Sequence, residues 1–111
     1  MQYSNQKILG ILKEIIPDIK PYIIPGQITN ASSFRMDLGC DIYDMVEIVI
    51  QLEYEHGIAV ENPGHLIKHT STVGEFCTLL SNELNKQEIP VTQKSRINLL
   101  NRVKQFFTRQ N

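Results

Sequence analysis

The stretch RMDLGCDIYDMVEIVIQLEYEHGI, residues 35–58, decides how this chain is read. Met45, Val46, Ile48, Val49, Ile50 and Leu52 recur at the spacing of one buried helix face. Asp41 stands where that helix should start, because a short side-chain acceptor satisfies an amide that the first turn leaves unpaired. Asp44 adds negative charge beside the positive end of the helix dipole, and Gly57 is a natural stop. Asp44, Glu47, Glu53 and Glu55 are expected to be exposed and acidic. The anomaly is the first turn, where Ile42 and Tyr43 put two large side chains at a place that is usually polar.

Working outward, Ser4 is a candidate cap for an earlier helix carrying Ile8, Leu9, Ile11, Leu12, Ile15 and Ile16. Pro21, Pro25 and Gly26 then break the chain into a long loop, anchored by Ile28, Phe34 and Leu38. Pro63 to His69 reads as one or two helical turns. Thr72 with Glu75 three residues on is a capping box, opening a helix to about Leu84 with Val73, Phe76, Cys77, Leu80 and Leu84 inward. No segment alternates with period two for long enough to suggest a sheet. The expected fold is all-α.

With 111 residues, 41% apolar and 21% charged, the chain has the composition of an ordinary globular domain with one appended element. No apolar run approaches the roughly 20 residues needed to cross a bilayer, and MQYSNQKILG lacks the pattern of a secretory signal. Cytoplasmic residence is the expectation. Cys40 and Cys77 form no CxxC and read as small hydrophobic side chains. The net charge of −1 hides a split: residues 1–85 hold five basic against eleven acidic side chains, a net of −6, whereas residues 86–111 hold six against one, a net of +5. The expected organisation is therefore a helical bundle over 1–85 followed by a linker and basic amphipathic helix over 86–111. Projected at about 100° per residue, Ile97, Leu99, Leu100, Val103, Phe106 and Phe107 share one half of that last helix.

Taken together, these residues resemble the acyl carrier proteins, small four-helix bundles that carry acyl chains on a phosphopantetheine arm. The similarity runs from about Ile8 to Leu84 and is densest over residues 28–60. Thr29, Phe34, Asp37, Leu38, Gly39, Asp41, Val46, Glu47, Leu52 and Glu53 match the family pattern in register, and STVGEFCTLL resembles the opening of its last helix. The resemblance implies a four-helix bundle with a long first loop, here with an extra C-terminal helix. It also implies an arm attached to the serine of an Asp-Ser-Leu triplet. Here the triplet is Asp41-Ile42-Tyr43, and Ile42 has no nucleophilic atom. No cofactor is therefore expected, although phosphopantetheine is usual for the family. Ile42 reads as a natural exchange, an engineered replacement or a relic of decay. An intact cap, acidic face and core argue against decay.

By the same resemblance, the second helix would dock basic patches on partners through Asp41, Ile42, Tyr43, Asp44, Met45, Glu47 and Glu53, set against the plainer reading of a solvated face. The implied partner is a basic-surfaced protein, such as a fatty-acid, polyketide or peptide-synthesis enzyme. The tail, through Arg96, Leu100, Arg102, Val103, Lys104, Phe106 and Phe107, would fold back on the acidic body, bind a partner, lie on an anionic membrane or simply pack as a fifth helix. It has no groove-reading motif for nucleic acid. His65 and His69 lack the further ligands of a zinc site and read as surface histidines. With no phosphate loop, no catalytic triad and no metal motif, an enzyme is not expected. The sequence thus supports an interaction or adaptor module without an arm. The rival is a genuine acyl, aminoacyl or peptidyl carrier whose serine has been replaced at Ile42.

Overall fold

Ser4 opens the first helix by accepting a hydrogen bond from the Lys7 amide at 3.1 Å, and the chain stays helical over α1, Asn5–Ile19. Pro17 lies inside this helix. The computed structural model describes residues 3–86, and statements about the fold refer to these. After a 3₁₀ turn at Pro25–Gln27, the chain forms α2 (Ile42–His56), α3 (Pro63–Lys68) and α4 (Val73–Lys86). The described residues contain four α-helices and no named strand, as the hydrophobic periodicity requires.

The core is the sum of the apolar stripes. Ile8, Leu12, Ile15 and Ile16 of α1 meet Val46, Ile48, Val49 and Leu52 of α2 and Val73, Phe76, Cys77 and Leu80 of α4. Phe34 from the long loop meets Phe76 edge-on, with ring centroids 5.5 Å apart. Each fully buried side chain of this size contributes roughly 1.5–3 kcal/mol of apolar burial, before the entropy of ordering is subtracted.

The long loop packs down. Ile28, Phe34 and Leu38 are all buried, as their spacing among polar residues implies. A single antiparallel bridge, Ser33 with Thr72, pins the loop to the start of α4. Beside it the Gly74 amide donates to the Asn30 carbonyl at 2.9 Å. A Cβ at Gly74 would lie 2.8 Å from that carbonyl oxygen, so the close approach requires glycine. The buried Ser32 hydroxyl donates to the Gln27 carbonyl at 2.9 Å and accepts from the Thr29 amide at 2.9 Å. At the opposite end of α4, the Ser81 hydroxyl donates to the Tyr3 carbonyl at 2.6 Å, closing the N-terminus onto the last helix.

Candidate docking surface and family

The mouth of α2 is fixed by reciprocal capping. The Asp44 amide donates to Asp41 Oδ1 at 2.9 Å, and the Asp41 amide donates to Asp44 Oδ2 at 3.0 Å. Both orphan donors are thereby satisfied by side chains three residues apart in the cap, as in the S/T-x-x-E box. Gly57 closes the other end in the left-handed region at φ 64°, and the Ile58 amide reaches back to the Leu52 carbonyl at 3.0 Å. Ile42 is the first residue of the helix and is 40% exposed, and Tyr43 follows at 66%. Neither belongs to the buried core. Sequence reasoning places both at this exposed mouth, and the structure agrees.

Three members of the expected acidic and apolar contact set lie elsewhere. Glu53 is 1% exposed, not on the acidic face. It stands four residues after Val49 and seven after Val46, so it falls on the inward stripe that those valines define. Met45 is buried as well, at the floor of a groove rather than on the surface. Asp44 is half-buried and paired: the Lys20 ammonium lies 3.0 Å from its carboxylate. Burial alone would raise the Asp44 pKa, but the Asp41 amide and Lys20 outweigh it and hold the carboxyl below the usual range. The same hydrogen bond to Asp44 pushes Lys20 up to about 12. Free acidity on α2 therefore rests on Asp41, Glu47 and Glu55, which are exposed.

Beside the α2 mouth lies a groove of about 670 Å³, lined by Ser33, Arg35, Gly39, Ile42, Met45 and Ile67 among others. Gly39 adopts φ 65°, and the Tyr22 hydroxyl stands 3.3 Å from where a Cβ there would sit. Tyr22 thus stands beside the groove residue Gly39. It also lies under the Lys20 ammonium, 5.6 Å from the ring centroid. Met36, next to the groove residue Arg35, is the most exposed of the large hydrophobic side chains among the described residues, followed by Tyr22 and Tyr43. Tyr22 and Met36 were not singled out by sequence reasoning. A tyrosine and a methionine in a polar loop carry no periodicity to mark them.

Cys40 borders the groove, and burial together with the nearby Asp44 pushes its thiol up to about 11, which suppresses thiolate chemistry. Cys77 is likewise raised to about 11 by burial. A second groove of about 740 Å³ between α3 and α4 includes His65 and His69, whose rings are 4.3 Å apart. Among the described residues, no three His, Cys, Asp or Glu side chains converge as a metal would require. No helix of the described residues is long and apolar enough to cross a membrane. The tail residues Arg96, Leu100, Arg102, Val103, Lys104, Phe106 and Phe107 lie outside the described residues.

An acyl carrier protein of Amoebophilus asiaticus is 30% identical to this chain over 84 residues, which are 76% of this chain and 96% of the relative. The chain belongs to the acyl carrier protein family. A meromycolate extension acyl carrier protein of Mycolicibacterium aurum is 36% identical over 75 residues, 68% of this chain and 74% of its own. An acyl carrier protein of Thermotoga maritima is 30% identical over 81 residues, covering 73% of this chain and 96% of the relative. No family model matches the chain, and no solved structure matches it significantly. Within the acyl carrier protein family, the four helices, the capped α2 and the long pinned loop of this chain form the expected helical bundle.

Proposed function

We propose that this chain is a docking module of the acyl carrier protein family that carries no phosphopantetheine arm. The observation that carries the reading is Ile42 at the first position of α2, where the family resemblance calls for the attachment serine. A phosphodiester to a side chain needs a hydroxyl, and Ile42 offers only carbon. The nearby loop serines are engaged: Ser32 is buried with its hydroxyl donated to Gln27, and the Ser33 hydroxyl accepts from the Met36 amide at 3.0 Å. The residues present do not fit the arm.

What remains is a surface. Asp41, Glu47 and Glu55 supply a negative field that steers a basic-surfaced protein toward α2, an effect felt mainly in the association rate and its salt dependence. Ile42 and Tyr43 supply apolar contact at the centre, where truncating an anchor typically costs about 2 kcal/mol or more of binding. The partner class is a fatty-acid, polyketide or peptide-synthesis enzyme with a basic docking patch. The second reading, a genuine carrier, draws on the similarity to relatives that bear the carrier name.

Intact mass after co-expression with a broad-specificity phosphopantetheinyl transferase separates the two. The docking reading expects unmodified mass for the chain, and a gain of one arm on Ile42→Ser would show that the residue alone decides. A gain of one arm on the unaltered chain overturns the reading.

A further inference from the structure

We propose that the groove beside Ile42 is a self-association face, and that its occupant is the same face of a second copy of this chain. The contact is two-fold and face to face, with Arg35 of each copy meeting Asp41 of the other. It goes beyond the docking reading because it needs only this chain. It also covers the α2 mouth that a partner has to reach.

Exposed apolar surface is the first support. Among the described residues, the large hydrophobic side chains left in water are Tyr22, Ile24, Met36, Ile42, Tyr43 and Tyr54. All but Tyr54 come from residues 22–43, the long loop and the first turn of α2. Ile42 lines the groove and Tyr43 follows it in the same turn. Met36 is next to the groove residue Arg35, and Tyr22 stands beside the groove residue Gly39. Met45 and Ile67 add apolar surface to the groove itself. Such a concentration marks a contact face, because hydrated apolar surface forfeits the free energy of burial.

Charge selects the occupant. Arg35 and Asp41 are the charged side chains that line the groove, one of each sign, and both are exposed. Among the described residues neither is in an ion pair, whereas Lys20 and Asp44 neutralise each other at 3.0 Å. Asp37, an exposed acid outside the lining, accepts from the Ser33 amide at 2.7 Å, and Glu47 is exposed further along α2. A uniformly basic surface suits the flank of α2 but meets a like charge at Arg35. A face with one cation and one anion is instead complementary to itself turned about a two-fold axis, the condition for an isologous contact.

The long-range field permits the approach. Residues 1–85 carry a net of −6, but the whole chain carries only −1, so two full chains meet with little net repulsion. Exposed ion pairs add little affinity, so Arg35 and Asp41 set the register and the apolar centre supplies the binding.

Sedimentation equilibrium of the full chain, up to about 1 mM, should give a mass that rises with concentration toward twice the monomer. Arg35→Glu and Asp41→Lys each put like charges at both contacts and should weaken association about tenfold or more. Mixed in equal amounts, the two variants make both contacts complementary again, and the dimer should return. Circular dichroism checks that each variant is folded, since Asp41 also caps α2. Amide shifts at Gly39, Ile42 and Ile67 of the unaltered chain should move on dilution, which carries the test without any variant. A chain that stays monomeric leaves the face to another protein or to a segment of its own, and overturns the proposal. So do a dimer that both folded variants keep, a mixture of folded variants that stays monomeric, and dilution shifts confined to other parts of the bundle. The docking reading is judged separately by intact mass, which self-association does not alter.

Discussion

The Lys20 ammonium lies 3.0 Å from the Asp44 carboxylate, tying the end of α1 to the first turn of α2. The pair binds the loop-side end of one helix to the mouth of the next, and it removes one acid from the face that α2 offers. Lys20→Ala should raise the Asp44 pKa toward the ordinary carboxylate range, because burial then acts with less opposition. Asp44 has a depressed pKa in the fold, so its contribution to stability is present above the unfolded carboxylate value and fades as pH falls through the folded one. The variant should lose that contribution at higher pH. Carboxyl-detected NMR titration of Asp44 gives the pKa, and urea melts between pH 3 and 6 give the stability; an unmoved Asp44 pKa would contradict the assignment.

Glu53 and Glu47 make a paired test of the acidic face. Glu47 is exposed, so Glu47→Ala should change stability by no more than about 0.5 kcal/mol while slowing association with a basic partner. Glu53 is buried, so Glu53→Ala should instead cost roughly 1–3 kcal/mol in folding. Urea unfolding of the two variants side by side distinguishes them, and equal small effects would return Glu53 to the surface.

Gly74→Ala should destabilise the bundle by about 1–3 kcal/mol, because the added Cβ meets the Asn30 carbonyl oxygen at 2.8 Å and the backbone must move. The damage should be local to the loop pinning. Hydrogen exchange at the Val73 and Gly74 amides, which donate to Ser32 and Asn30 carbonyls, should accelerate well before that of Leu80. Uniform acceleration would mean the loop and core open as one unit.

Phe76→Ala should cost roughly 3–5 kcal/mol, since the ring is fully buried and stacks edge-on with Phe34. Thr72→Ala should cost only about 1 kcal/mol, the usual value of a helix cap, by removing the hydroxyl that accepts from the Glu75 amide at 3.2 Å. Thermal unfolding of both ranks the two contributions; a larger effect for Thr72 would mean that the bridge to Ser33, not the cap, dominates there.

The sequence by itself determined the helices and their ends. Ser4, Asp41, Gly57 and the Thr72–Glu75 box are local devices that act within one turn, so spacing alone exposes them, whereas the return bond from the Asp41 amide to Asp44 came from the structure. The sequence also placed Ile42 and Tyr43 at the mouth of α2, because the position of a residue relative to its cap needs no tertiary information. Only the tertiary structure decided which charges are available. Asp44 finds Lys20 across a loop of more than twenty residues, a pairing that no helical period encodes. Glu53 is a different case: its place on the Val46–Val49 stripe was legible in the spacing, but charge suggested exposure and packing prevailed. The groove beside Ile42 likewise needed the loop, α2 and α3 brought together, since its walls come from segments more than thirty residues apart in the chain.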